Sequence, residues 1–338
     1  MALPSLSSEK SIADYWGLPT NAGARFSNAR SALAMLVSTI QPKRAWIPAY
    51  VCHSVAEVFD TNNVPIFYYS VSDTLEPDVF QLKKDCTAGD MVFGINYFGQ
   101  APSASFCHFA HQRDDLIFVE DCAQTIDTGK STWGNWRLIS PRKVVGVADG
   151  GFILPSFKTS KCKIKFSAHR NSEIDIWHAA VLRFEDNTKK NNQYWHSINQ
   201  EHEKNIVIND TRMTRLSYEL LKHIDAPSII QQRKINFDTL HARLAHIAFL
   251  PVKKPDFCPF GFPIRLNENF RTIMNNELIK RGIFPAIHWI SLPSPSDQFD
   301  KEHLLAKELL TLPCDQRYNI SDMQYIATNV LDILKKNP

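Results

Sequence analysis

An acid, an amide, a hydroxyl and an amine stand in close order near the middle of the chain: Asp121, Gln124, Ser140 and Lys143, followed by Asp149-Gly150-Gly151. A lysine can hold an aldehyde cofactor as a Schiff base, and a carboxylate can keep a ring nitrogen protonated so that the ring draws electrons. Pyridoxal phosphate needs both groups, together with a cradle for its phosphate. Asp121 closely follows the apolar run Leu116-Ile117-Phe118-Val119, which reads as a buried strand. An acid at the carboxyl end of such a strand lies where open α/β sheets bind ligands. Gln124, three residues on, is placed to reach the ring's phenolic oxygen. Ser140 precedes Lys143 by three residues, which brings its hydroxyl toward the phosphate of a cofactor carried by that lysine. Gly150-Gly151 permits a tight turn. Taken singly, the lysine reads as a solvated strand end and the acid as a helix N-cap. The ordered set is what points to the cofactor.

The elements that must position these groups alternate between strand and helix. Leu33, Leu36, Val37 and Ile40 share one helical face, with Asn28 or Ser27 available as N-cap. A phosphate at the start of that helix meets free amides and the positive end of the helix dipole. Apolar strands follow at Arg44 to Ile47, Val64 to Tyr69, Met91 to Asn96 and Leu116 to Glu120, which is an α/β pattern. Farther on, Arg233 to Leu244 reads as a helix, Pro263 to Leu266 as a strand, and Ile273 to Lys280 as a helix ended by Gly282. Ser321 with Gln324 forms a capping-box pattern before a last helix that buries Ile326, Val330, Ile333 and Leu334. From Glu173 to Glu203 the chain is mostly polar and reads as surface helices, with a substrate lid as the alternative.

With 338 residues the chain exceeds what one core usually serves, so two lobes are expected, a large one over 1–226 and a smaller one over 227–338. A net charge of +3 gives no support to nucleic-acid binding. Lys161, Lys163 and Lys165 alternate with Cys162, Ile164 and Phe166; with Lys158 nearby, they are edge-strand lysines that block aggregation or an attraction for a nucleotide diphosphate. Gly129-Lys130-Ser131 ends like a phosphate-binding loop, but Gln124 stands where its first glycine belongs. Seven cysteines with no Cys-x-x-Cys pair indicate reduced thiols in the cytoplasm and neither a disulfide scaffold nor a metal site. The N-terminus lacks the pattern of a signal peptide, and no run approaches the ~20 apolar residues of a membrane span.

The chain resembles the sugar aminotransferases of the DegT/DnrJ/EryC1/StrS family. Asn28-Ala29-Arg30-Ser31-Ala32-Leu33 resembles the family's phosphate-binding turn, Ile47-Pro48-Ala49-Tyr50-Val51-Cys52 its next strand and loop, and Ile95-Asn96-Tyr97-Phe98-Gly99-Gln100 its middle strand. Arg212-Met213-Thr214 resembles the family's Arg-Met-Thr before a helix, and Gly282 to Trp289 its C-terminal signature. The resemblance implies a type I aspartate aminotransferase-like α/β fold, with a mixed, mostly parallel sheet in the large domain and a smaller α+β C-terminal domain. It implies amino transfer from glutamate or glutamine to a nucleotide-linked keto-sugar, in surface polysaccharide or related glycan synthesis, by a homodimer. On the motifs, Lys143 is the catalytic lysine, Asp121 faces the ring nitrogen and Gln124 the phenolic oxygen, and Ser140 with the backbone at Arg30 and Ser31 holds the phosphate. Tyr50 stacks on the ring or is a core tyrosine. His288 and Trp289 face the site or form a buried aromatic pair. Four features depart from the family pattern: Ala29 replaces glycine, Leu138 replaces a serine, the chain is short with a poor match over 166–207, and Asp210 replaces the asparagine that reaches the partner's phosphate. Asn209, one residue earlier, is the substitute for that crossing contact. The alternatives are a lyase or dehydratase on a similar sugar, which the lysine argues against, and a non-catalytic or regulatory protein of the same fold.

Overall fold

The computed structural model describes residues 10–126, 132–156, 168–171, 173–185, 192–250, 252 and 255–336. Apolar runs punctuated by turns give six strands: β1 (Ala45–Pro48), β2 (Ile66–Tyr69), β3 (Met91–Ile95), β4 (Ile117–Asp121), β5 (Trp136–Ile139) and β6 (Phe152–Pro155). They form one sheet in the order β2-β1-β3-β4-β5-β6. Its pairings are parallel except the last, where β6 runs antiparallel to β5. Every residue of β1 and β3 is buried, as is all of β4 beyond Ile117. Parallel strands covered on both faces read as such continuous apolar runs. The edge strand β2 is partly exposed. Helices His53–Thr61, Val79–Asp85 and Ala104–Gln112 connect the parallel strands.

The parallel pairing decides where the site lies. Ile95 is in register with Asp121, and Asp121 with Leu138, so the carboxyl ends of β3, β4 and β5 form one edge. Four segments leave that edge together: Ala49-Tyr50 after β1, Asn96 to Phe98 after β3, Cys122 to Gln124 after β4, and Ser140 to Lys143 after β5.

The helix Ala29–Ile40 packs against β5 and β6 and buries Ala32, Leu33, Leu36 and Val37. Its cap is Asn28, whose side chain accepts from the Ser31 amide at 2.9 Å. Ala29 takes a helical conformation with no positive φ, so the turn closes without the glycine expected there. The glycines the site requires are Gly150 and Gly151. Gly150 has φ +132°, and a Cβ on Gly151 would lie 2.1 Å from the carbonyl carbon and oxygen of Asn28. Hydrogen bonds from Gly150 N to Ser27 O (2.7 Å) and from Gly151 N to Phe26 O (2.8 Å) fasten the turn after Lys143 onto the entry to this helix.

In the C-terminal part, the helix Ala226–Leu244 packs against the last helix, Ile320–Lys336, and β7 (Phe262–Arg265) pairs antiparallel with β8 (Leu309–Leu312). Met323, Ile326, Val330 and Ile333 line the buried face of the last helix. Its cap is not the Ser321–Gln324 pair. Asn319 Oδ1 accepts from the amides of Ser321 (2.8 Å) and Asp322 (3.2 Å), and Asp322 accepts from the Asn319 amide at 2.9 Å, so the helix starts earlier than the serine implies. Helices His178–Glu185 and Asn192–Lys204 occupy the polar stretch. The lysines at 158, 161, 163 and 165, and Gly129-Lys130-Ser131, lie outside the described residues. Among the described residues no helix is long and apolar enough to cross a membrane.

Candidate active site

Two neighbouring acids at the end of β4 have opposite surroundings, because successive strand residues face opposite sides of the sheet. Glu120 is a structural acid: it accepts from Asn96 Nδ2 (2.8 Å) and from the amides of Trp133 (3.2 Å) and Gly134 (3.4 Å). Asp121 accepts only from the Ala123 amide, at 2.8 Å, and its other oxygen has no hydrogen-bond partner among the described residues. Burial pushes the Asp121 carboxyl above the usual range, opposed by the charge of Lys143 and by the Ala123 amide. Asp121 and Lys143 thus lie at the same carboxyl edge of the sheet, close enough for the lysine charge to act on the carboxyl.

Lys143 sits in a short helix, Pro141–Val144, that begins where β5 ends. The proline at the first helical position is pre-set for the turn. The lysine side chain is exposed, and its amine has no hydrogen-bond or ion-pair partner among the described residues. A second group near it is His288, whose imidazole is pushed down to about 4, first by burial and then by the Lys143 charge. His288 Nε2 is buried without a partner, and its ring lies 6.0 Å from Phe98 and 5.7 Å from Phe260. At neutral pH it is therefore an uncharged imidazole beside the amine. It is both within reach of the Lys143 charge and packed among the rings of Phe98, Phe260 and Trp289.

Gln124 is buried, with its Oε1 fixed by the Phe98 amide at 2.7 Å, which leaves the Nε2 group to donate. Phe98 has φ +55°, an uncommon conformation for a non-glycine residue, held by Gln124 and by Phe260 N bonded to Phe98 O at 2.9 Å. Ser140 is buried at the start of the lysine helix, and its hydroxyl makes no cap bond.

The start of the Ala29–Ile40 helix has fewer free donors than expected. The Ser31 amide goes to Asn28, and the Ser31 hydroxyl accepts from the Asn209 amide at 3.1 Å. The amide of Arg30 has no protein acceptor among the described residues. Asn209 therefore packs on the helix start of its own chain, with its side chain turned back to the Thr211 amide at 3.0 Å. Asp210 pairs with Arg170 at 3.0 Å. Tyr50 is fully buried, its ring 5.4 Å from Trp289 and 5.8 Å from Tyr97, while its hydroxyl is buried with no partner. Its ring packs against those of Trp289 and Tyr97.

Sequence reasoning missed two supports. Asp149, fully buried, accepts from Thr214 N (2.6 Å) and Thr214 Oγ1 (2.7 Å), and also from the Ser217 hydroxyl. This joins the Arg212-Met213-Thr214 motif to the turn after Lys143, because Thr214 also caps the helix Arg215–Leu221. Arg233, also buried, reaches the carbonyl of Val144 at 2.9 Å. Only the motif itself signalled the first, and nothing local signalled the second.

Together, an amine, a carboxylate with one unpartnered oxygen, an amide donor, a hydroxyl and a helix start suit a ligand with a cationic ring and an anionic tail. Solved structures share the fold that carries them. Spr1654 of Streptococcus pneumoniae, assigned as a sugar aminotransferase, superposes in its apo form with a TM-score of 0.69 at 15% identity, over 96% of this chain and 88% of that one. Helicobacter pylori PseC, an aminotransferase involved in the biosynthesis of pseudoaminic acid, gives a TM-score of 0.66 at 13% identity, over 99% of each chain. A DegT DnrJ EryC1 StrS aminotransferase from Brucella abortus gives 0.62 at 14% identity, over 91% of this chain and 85% of that one. The fold is that of the sugar aminotransferases. No family model matches the chain, and no curated protein does. At these identities it is the fold that is shared.

Proposed function

We propose that the protein is a pyridoxal-phosphate-dependent aminotransferase that passes an amino group from glutamate or glutamine to a nucleotide-linked keto-sugar, in the synthesis of surface polysaccharide or a related glycan. The observation that carries this reading is the approach of Lys143 to Asp121 at the carboxyl edge of an aminotransferase-type sheet. Spr1654, which shares the fold, has been solved in forms bearing pyridoxal and pyridoxamine phosphate.

The residues present fit that cofactor. Among the described residues one oxygen of the buried Asp121 has no partner, and there a ring cation would restore the charge balance that burial upsets. Gln124 has its donor group free and its acceptor fixed, the orientation needed to face a phenolic oxygen. Ser140 and the Arg30 amide are the phosphate donors that remain, with the Ser31 amide engaged by Asn28. When bound, the cofactor supplies an electron sink that makes the substrate's Cα–H acidic. Lys143 then serves as base and acid, taking a proton at one carbon and returning it at the other. His288, neutral beside it, leaves the amine free of a competing cation. Two lobes, 1–226 and 227–338, a cytoplasmic location and a homodimer complete the reading.

A second reading, a non-catalytic protein of the same fold, draws on one observation: Val207 to Asn209 of the same chain lie on the helix start that would receive the phosphate. One experiment separates the two. Protein loaded with pyridoxal phosphate is mixed with L-glutamate and then with a panel of nucleotide keto-sugars. Loss of the visible cofactor band with release of 2-oxoglutarate, followed by recovery of the band with one keto-sugar, is the expected result. A band indifferent to every amino donor would contradict the enzyme reading, and turnover of simple keto-acids alone would contradict the sugar assignment.

A further inference from the structure

We propose that Arg233 and Gln316 form a clamp on the Val144 carbonyl that sets the orientation of Lys143. The inference rests on the reading of Lys143 as the residue that carries the cofactor.

Arg233 lies in the Ala226–Leu244 helix and is only 3% exposed. Its guanidinium makes four hydrogen bonds: Nη2 to Val144 O at 2.9 Å, Nη1 to Pro259 O and Phe260 O at 3.1 Å each, and Nε to Gln316 Oε1 at 2.7 Å. Gln316 in turn donates from Nε2 to the same Val144 carbonyl at 3.1 Å. One backbone oxygen thus receives two donors, one of them charged.

That oxygen ends the helix that bears Lys143. The helix has 4 residues, and its turn is closed by Val145 N to Pro141 O at 2.9 Å and Lys143 N to Ser140 O at 3.2 Å. A helix this short has no stability of its own, and its last carbonyls have no partner within it. A cation at the C-terminal end of a helix is also favourable. What grips Val144 therefore decides the direction in which the Lys143 side chain leaves the backbone. Both gripping residues come from the C-terminal part of the chain, so the geometry of the lysine depends on elements far from it in sequence. Arg233 also holds Phe260, whose ring packs against His288. It is a positioning residue for two groups of the site.

A purely structural arginine and an orienting one differ in one measurable respect. Pyridoxamine phosphate has the same phosphate and nearly the same ring as pyridoxal phosphate, but forms no bond to a lysine. Dissociation constants for both, by equilibrium dialysis against wild type, Arg233→Lys and Gln316→Leu, read out the orientation of Lys143 without reference to turnover. We expect each variant to lose about tenfold in pyridoxal phosphate affinity, equivalent to about 1.4 kcal/mol, with pyridoxamine phosphate affinity changed by less than about twofold. Equal losses for both cofactors, or no loss for either, would overturn the proposal. Gln316 is half-buried and its replacement leaves Arg233 bonded to Val144, Pro259 and Phe260, so this variant decides the matter even where Arg233→Lys folds poorly. Lys143→Ala serves as reference. If it keeps the wild-type preference for pyridoxal phosphate, the fault lies in the assignment of Lys143 and not in the clamp.

Discussion

Asp121 and Glu120 are adjacent acids at one strand end, yet only Asp121 lacks a full set of donors. Removing one partner of a buried ion pair costs roughly 3 to 5 kcal/mol, and each ~1.4 kcal/mol expressed in the transition state is tenfold in rate. Asp121→Asn is therefore expected to fold and to lose on the order of a hundredfold or more in turnover. The same change has the opposite effect on the cofactor-free protein. A carboxyl raised by burial binds more protons folded than unfolded, so it costs stability as pH rises above the ordinary carboxylate range. Cofactor-free Asp121→Asn should thus be more stable than wild type at pH 7 in urea unfolding, and a loss of stability would contradict the burial argument. His288 has the reverse sign. Its imidazole, pushed down to about 4, binds fewer protons folded than unfolded. Wild type should then lose up to about 3 kcal/mol relative to His288→Gln as pH falls from about 6.5 to about 4, and parallel stability curves for the two proteins would refute it. Lys143 and Asp121 stand out in the sequence because their spacing from a strand is local. His288 was ambiguous because the groups that define it, Phe98, Phe260 and Lys143, come from three separate segments.

At the scale of elements, β1 to β4 could be read from their apolar runs, since a parallel strand covered on both faces needs no alternation. β5 and β6 escaped notice although they are no shorter than β1 and β2: Arg137 interrupts the apolar run of β5, and the reversed direction of β6 is set by pairing and not by composition. The cap of the last helix was misplaced because Ser321 and Gln324 satisfy a pattern that Asn319, earlier in the chain, already satisfies with two amides. The Gly150-Gly151 turn was legible as a turn, but its function was not: it is the joint between the lysine segment and the Ala29–Ile40 helix. A methyl group on Gly151 would strike backbone atoms at 2.1 Å and 2.4 Å, which cannot move aside as a flexible side chain does. Gly151→Ala should destabilise the protein by about 3 kcal/mol or more and weaken retention of the cofactor. A shift in urea midpoint equivalent to less than about 1 kcal/mol would show that the joint is not rigid.

On the scale of the whole molecule, several large apolar side chains near the site segments are exposed. Ile290 (76% exposed) and Phe284 (64%) flank His288 and Trp289, and Val207 (65%) lies next to the Asn209 segment. Exposed apolar side chains of this size near a cleft favour an interface. In an isologous dimer each subunit completes its neighbour's site. Dilution into monomers should therefore release the cofactor and abolish amino transfer, and light scattering that finds a saturated, active monomer would refute the shared site. The alternation of apolar strands and helices foretold an α/β protein, but which surface would meet another copy depends on side chains that only the folded chain brings together.

The central claim is that Lys143 carries the cofactor beside Asp121, and covalent capture tests it most directly. Protein purified with pyridoxal phosphate is reduced with borohydride, digested and mapped by mass spectrometry. The pyridoxyl group should be found on the peptide containing Lys143 and be absent from Lys143→Ala treated in the same way. A reduced adduct on any other lysine, or none on a protein that shows the visible cofactor band, would contradict the account.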